Sequence, residues 1–70
     1  MTELLREAMK DGRRVALLRC YDGEGATIVE YESEPTGRRG TYRFASAPEA
    51  FRFVQEALLA MQYLGCTISS

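Results

Sequence analysis

The spacing of apolar residues at the start of the chain predicts a short amphipathic helix. Two adjacent pairs of apolar residues recur at a four-residue interval, so on a helix they form one stripe with charged residues beside it. The stripe consists of Leu4, Leu5, Ala8 and Met9. Thr2 is the expected cap at its start and Gly12 the residue expected to end it. A helix of about nine residues is marginal by itself, so this stripe is expected to dock on the rest of the domain.

Residues 14–21 and 26–33 are predicted to form a β-hairpin. Both runs are rich in residues typical of strands, and Asp22-Gly23-Glu24-Gly25 separates them. A two-residue turn at Gly23-Glu24 predicts that Cys20 pairs with Thr27, Leu18 with Val29, and Ala16 with Tyr31. One face of this hairpin then carries Ala16, Leu18, Cys20, Val29 and Tyr31. The other face carries Val15, Leu17, Arg19, Tyr21, Ile28, Glu30 and Glu32.

A third strand is predicted over residues 40–44, after a loop at residues 34–39. Aromatic packing and opposite charges favour one register for it. In that register the pairs are Tyr42 with Tyr31, Phe44 with Val29, and Arg43 with Glu30.

Ser46-Ala47-Pro48-Glu49 has the S-x-x-E spacing of a capping box, with proline in the first turn. It predicts a helix that starts here and runs to about Leu64, where Gly65 ends it. The apolar face of this helix is expected to pack on the aromatic side of the sheet. That face consists of Ala50, Phe51, Val54, Ala57, Leu58, Met61 and Leu64.

Together these elements predict a single α+β domain over residues 1–70 in the order α-β-β-β-α. A three-stranded antiparallel meander packs against the C-terminal helix, and the N-terminal helix docks beside it. Cys66-Thr67-Ile68 is expected to form either a short final edge strand or an apolar tail.

The predicted element order and the chain length resemble the double-stranded-RNA-binding domain, and the likeness spans Thr2 to Leu64. That family has a lysine-rich start to its second helix. The corresponding stretch, residues 46–52, has one arginine and one glutamate, so the resemblance implies the fold without the main phosphate contact. In size, and in combining an antiparallel sheet with a helix, the chain is also similar to some small phage inhibitors of CRISPR complexes.

Composition places the chain among small soluble globular domains. It has 70 residues, 46% of them hydrophobic and 27% charged, with a formal net charge of −1. The charged N-terminus has no continuous apolar region typical of a signal peptide, so a reducing cytoplasm is the expected location. No apolar run approaches the roughly 20 residues that cross a bilayer, and no membrane contact is expected. The slightly acidic balance differs from the basic charge of generic polyanion binders.

The residues that could support catalysis or metal binding are few. Histidine is absent, and Cys20 and Cys66 lack the spacing of a metal or redox motif, so both are expected to be small buried hydrophobes. Asp22 and Glu24 flank a glycine turn, and Ser46 is the expected helix cap without a neighbouring base. The glycines match no nucleotide-binding pattern. The sequence therefore predicts no catalytic residues, no cofactor and no metal, and the protein is not expected to be an enzyme.

Four arginines are expected to converge at one end of the sheet: Arg13, Arg14, Arg38 and Arg39. Their guanidinium groups suit phosphate or carboxylate, so they are a candidate site for an anion or for an acidic partner. The alternative is that Glu32 and Glu34, at the same end, neutralise them in solvated ion pairs. Nucleic-acid binding, if present, is expected to be weak and confined to this end.

Two groups of apolar residues are left over once the core is assigned. Leu59 and Tyr63 are expected on the outer side of the second helix; Val15, Leu17, Tyr21 and Ile28 are expected on the sheet face away from it. These residues are candidates for an interface, most economically that of a homodimer, although singly scattered surface apolar residues are common. The sequence thus predicts a small non-enzymatic binding or regulatory protein that acts through protein–protein contact. The alternatives are a nucleic-acid-backbone binding module that uses the arginines, or a small phage-type inhibitor.

Overall fold

A computed structural model describes residues 3–34 and 36–69 and has one helix packed on one face of an antiparallel sheet. The elements are β1 (Glu3–Lys10), β2 (Arg13–Gly23), β3 (Ala26–Ser33), β4 (Arg38–Phe44), α1 (Ala47–Tyr63) and β5 (Thr67–Ser69). The strand order is β4-β3-β2-β1-β5. Strands β1 to β4 form a meander, and after α1 the chain returns to pair β5 with the outer edge of β1. The domain is therefore α+β, as predicted, but with a larger sheet.

The predicted N-terminal helix is wrong, because this segment is strand β1. An interval of four residues suits both one helical turn and two strand repeats, so Leu4 and Ala8 share a face in either structure. The strand gains backbone hydrogen bonds with β2, and Ala8 is fully buried opposite Ala16. The predicted cap Thr2 lies outside the described residues. Gly12, expected to end a helix, is instead in the hairpin turn between β1 and β2.

The turn between β1 and β2 has the conformation that the sequence Asp-Gly favours in tight hairpins. Asp11 and Gly12 have φ values of 52° and 77°, which is the left-handed region required at both positions of a type I′ turn. A bulge follows, since Ala8 pairs with Ala16 while Met9 pairs with Arg14. Val15 therefore has no partner on β1.

The predicted strand pairing is wrong in detail, and both registers are displaced by two residues. The turn between β2 and β3 lies at Glu24-Gly25, and the left-handed φ of 67° belongs to Gly25. Cys20 consequently pairs with Val29. Because the displacement is an even number, side chains stay on the predicted faces of the sheet.

The pairing of β3 with β4 is set by Gly40. Tyr31 lies opposite Gly40, and Val29 lies opposite Tyr42. The ring of Tyr31 occupies the space that a side chain at Gly40 would need. A glycine that accepts an aromatic ring from the neighbouring strand pins the register here.

Helix α1 begins and ends as predicted. Ser46 is the N-cap residue, but its hydroxyl donates to the Glu49 carboxylate (3.3 Å) and makes no capping bond to the backbone. At the other end, Gly65 has φ 92°. Its N–H donates to the carbonyl of Gln62, and the next N–H, of Cys66, donates to that of Met61. These two bonds form a Schellman motif, which satisfies the last carbonyls of the helix.

The core lies between α1 and the covered face of the sheet. Its buried residues are Leu18, Cys20, Val29, Ala50 and Val54. Ala57, Leu58 and Met61 pack against this cluster, as predicted. Phe51 and Leu64 were expected in the core but are exposed. Phe51 lies at the edge of the buried stripe, about 100° around the helix from Ala50, and Leu64 is the C-cap residue after the last turn. Phe53, which is not part of the predicted apolar face, packs on Tyr42 and Phe44, with ring centroids 4.8 and 5.3 Å apart.

Candidate functional site

The sheet face opposite α1 has no second layer among the described residues. One helix covers the face that carries Cys20 and Val29, and the N-terminal segment, expected to be a second helix docked beside it, is strand β1. We call this second surface the uncovered face. The strand registers place on it Glu3, Leu5, Glu7, Leu17, Arg19, Tyr21, Ile28, Glu30, Glu32, Arg39, Thr41 and Arg43.

The apolar residues of the uncovered face differ in accessibility. Leu5 is 44% exposed, and Leu17 and Tyr21 are half-buried. Ile28 is only 6% exposed, because its side chain lies against Gly23, where no Cβ intervenes. Leu17 and Tyr21 thus remain available to a partner, while Ile28 is covered by its own neighbours. Val15, half-buried, lies at the bulge near the start of β2.

A polar network connects the middle of this face. The Tyr21 hydroxyl donates to a Glu30 carboxylate oxygen at 2.9 Å, and Arg19 Nη1 lies 3.6 Å from the other oxygen. The Arg19 guanidinium also sits 5.5 Å from the centre of the Tyr21 ring. The bond to Glu30, with partial burial and the charge of Glu30, raises the pKa of Tyr21. Arg19, Tyr21 and Glu30 are therefore already in contact with one another in the unbound chain.

A shallow hollow of about 290 Å³ lies on the same face, across β2, β3 and β4. Leu17 forms its apolar side, and Glu32 and Arg39 line it together with Arg19 and Glu30 of the network. Arg39 Nε lies 3.8 Å from Glu32, and the Arg39 side chain is 78% exposed. The hollow is open and mixed in character, which suits a protein surface better than a small-molecule ligand.

The four arginines predicted to converge lie at one end of the sheet, but they are not equivalent. Ser33 pairs with both Ala16 and Arg38, so the start of β4 and the start of β2 lie at the same end. Arg14 donates to Glu34 at 2.6 and 3.2 Å and to Glu7 at 3.4 Å. These carboxylates raise the pKa of Arg14, with the Glu34 hydrogen bond as the largest cause.

The other arginines at that end are more open to solvent. Arg39 has the long contact to Glu32 described above, whereas Arg13 and Arg38 make no ion pair within residues 3–34 and 36–69. Arg13 lines a wider depression that also includes Lys10 and Glu34. Glu34 and Glu32 thus contact two of the four arginines, Arg14 and Arg39.

The outer side of α1 carries the other apolar pair. Leu59 is 54% exposed and Tyr63 is 95% exposed, and both lie opposite the buried stripe of the helix. Arg52, Gln55 and Glu56 are exposed on the same helix. The apolar patch on α1 is therefore narrow compared with the uncovered face.

The residues considered for chemistry are placed as follows. Asp22 and Glu24 are exposed at the β2–β3 turn, and the Ser46 hydroxyl is engaged by Glu49. Cys20 is buried and unpaired, and burial, together with the charge of Asp22, raises the pKa of its thiol. Cys66 is half-buried and also free. The described part of the chain holds no cluster of three or more potential metal ligands and no helix long and apolar enough to span a membrane.

Sequence reasoning missed the contribution of β1 to the uncovered face. Leu5 and Glu7 lie there only because this segment is a strand. The dipeptide Asp11-Gly12 was the signal that could have revealed it, since Asp-Gly between alternating apolar runs is typical of a tight hairpin.

Comparison of the chain with protein families, curated proteins and solved structures finds no match.

Proposed function

We propose that this chain is a small non-enzymatic binding protein that acts through protein–protein contact, and that the uncovered face is its binding surface. A regulatory role fits this activity, because a domain that only binds exerts its effect through its partner. The proposal extends the expectation from the sequence and assigns it to one surface.

The observation that carries the proposal is an excess of accessible surface. The chain exposes 4966 Å², whereas a compact monomer of 7.9 kDa is expected to expose about 4,400 Å². The difference, about 550 Å², is similar to one partner's share of a small protein interface. A sheet with one helix layer and no second layer accounts for an excess of this kind.

The uncovered face is favoured over the other two candidates because it combines area with preorganised groups. It has accessible Leu5, Leu17 and Tyr21 among fixed charges, a mixture typical of non-obligate interfaces. The outer side of α1 offers only a narrow apolar pair. At the arginine end, Glu34 and Glu7 already engage Arg14, which leaves less free positive charge for a phosphate backbone.

A test is site-specific photo-crosslinking in living cells. A photoreactive phenylalanine analogue replaces Leu17 in one variant and Leu59 in a matched control on α1. We expect protein adducts from position 17 well above those from position 59. Adducts that are absent from position 17, or equally abundant at both positions, would contradict the proposal.

A further inference from the structure

We propose that the occupant of the uncovered face is a second copy of this chain, related by a two-fold axis that runs parallel to the strands between β2 and β3. The inference rests on the proposed function, because it names the partner for that surface. Its basis is the pattern of charge across the four strands of the meander.

The axis exchanges strands in a simple way. The axis lies in the plane between the two sheets, above a line midway between β2 and β3. Rotation by 180° about it places β4 over β1 of the second copy, and β3 over its β2. The strands of the two sheets stay aligned, which is one of the two common ways in which sheets stack. We call the residues that pair with one another across the four strands a row. Each row then faces the same row of the second copy, in reverse order.

The first row contains Glu7, Leu17, Glu32 and Arg39. Reversed, it brings Glu7 opposite Arg39 of the second copy, and the symmetry makes this contact twice. Leu17 lies against the aliphatic part of Glu32, whose carboxylate is held by Arg39 of its own chain. Sheets that stack face to face are about 10 Å apart, so extended glutamate and arginine side chains reach across the gap.

The other two rows are also self-complementary. In the second row Arg19 meets Glu30 of the second copy, which joins the two polar networks into one. In the third row Glu3 meets Arg43, and Tyr21 meets Ile28. Opposite charges thus face each other in every row.

The other two-fold axis in the plane of the interface, perpendicular to the strands, gives the reverse result. Each strand then faces the same strand of the second copy. Glu30 meets Glu30, Arg19 meets Arg19, and Arg39 meets Arg43. Like charges at these positions repel and select against that arrangement.

The area is sufficient for a dimer of moderate affinity. Four strands spaced at about 4.8 Å make a face about 19 Å wide, and strands of this length extend about 25 Å. Each subunit therefore buries about 500 Å², and the pair about 1,000 Å², which is the lower limit for a specific interface.

The test uses the purified full chain and two charge reversals, Arg39→Glu and Glu7→Arg. Light scattering and sedimentation are measured from about 1 μM to about 1 mM, a range that spans moderate affinities. We expect the unaltered chain to dimerise and each variant to dimerise at least about tenfold more weakly, because each reversal is repeated by the symmetry. A mixture of the two variants should recover dimerisation, because both Glu–Arg contacts re-form in the heterodimer.

Controls on α1 keep the test specific. Arg52→Glu and Glu56→Arg make the same charge changes at exposed positions on the helix and should leave dimerisation unchanged. Circular dichroism and thermal melting establish that each variant is folded. Recovery by mixing is itself evidence of folding, since an unfolded chain would not restore the partner.

Three results would overturn the inference. A monomer at all concentrations removes the second copy as the occupant. A dimer that Arg39→Glu strengthens, or that the mixture does not restore, rejects this axis. The proposed function is tested separately by the crosslinking experiment. If position 17 forms adducts with a different protein, the proposed function stands and the homodimer does not. If position 17 forms no adducts, the proposed function is contradicted.

Discussion

On β2, Leu17 and Leu18 are adjacent in sequence and lie in two different environments. Leu18 is 2% exposed in the cluster that Val29 and Val54 complete under α1. Leu17 is half-buried on the uncovered face, in a shallow hollow beside Glu32. The covered face excludes water with aliphatic and aromatic side chains, whereas the uncovered face combines apolar groups with solvent-exposed ion pairs.

This difference separates stability from recognition within one sheet. Side chains that point toward α1 determine whether the domain folds, because their burial is the main favourable term. Side chains on the other face can change with less effect on folding, since solvent already reaches them. The uncovered face is thus the part of the domain most free to be shaped by a partner.

The sharpest test of this comparison replaces the two leucines separately by alanine. Leu18→Ala should lower the free energy of unfolding by about 3 kcal/mol, from lost burial and the cavity left behind. Leu17→Ala should lower it by about 1 kcal/mol or less when measured in dilute protein. Urea denaturation at a low, fixed concentration gives both values. Equal losses would mean that the two faces are equally buried in solution.

The glycine opposite Tyr31 provides the next test. A methyl group introduced by Gly40→Ala would overlap the Tyr31 ring, and overpacking of this kind costs about 1–3 kcal/mol. Urea denaturation measures the loss. In a Tyr31→Leu background the same substitution should cost clearly less, because the ring is gone. An equal cost in both backgrounds would show that the ring does not lie over Gly40.

The two free cysteines allow the reactivity of a buried thiol to be compared with that of a half-buried one. Cys20 lies in the core and has a raised pKa, whereas Cys66 is half-buried after α1. A thiol reagent should label Cys20 at least about tenfold more slowly than Cys66 in the native protein, because Cys20 reacts only after opening. Single-cysteine variants separate the two rates. Similar native rates for both thiols would contradict the burial of Cys20.

The smallest effect is expected at the start of α1. Ser46→Ala should lower the free energy of unfolding by only a few tenths of a kcal/mol, since the hydroxyl contacts Glu49 and caps no backbone group. Glu49→Gln is the matched control for the same contact. A loss near 1 kcal/mol, the usual value for an N-cap, would show that the capping bond forms in solution.

Helix α1 could be predicted from sequence because its signals are local. Ser46 and Pro48 mark its start, and Gly65 marks its end, whatever the rest of the chain does. The register of β2 with β3 follows from the position of the turn, and glycines at both 23 and 25 make two turn positions possible. The register of β3 with β4 follows from the Tyr31 ring over Gly40, a contact that the local sequence pattern does not contain. The periodicity of β1 is ambiguous by itself, and only the Asp11-Gly12 turn distinguishes a strand from a helix.

Part of the candidate site could also be predicted, because the alternation of side chains along a strand is a local pattern. The alternation of β2 places Leu17 and Tyr21 on one face in any even register, so their position followed from the sequence. The burial of Ile28 depends on the missing side chain at Gly23, a diagonal contact that no local pattern contains. The contact of Arg14 with Glu7 exists only because β1 is a strand.

The pairing of β5 with β1 also has a consequence for the order of folding. The turns of the meander bring neighbouring strands together over short loops, which close within microseconds. Residues 7 and 69, by contrast, pair across about 60 intervening positions, and that closure carries a larger entropic cost. The strand Thr67–Ser69 has only three residues and therefore forms few hydrogen bonds to offset this entropic cost. We expect β5 to be the last element to form and the first to detach, which would leave the outer edge of β1 open to another strand.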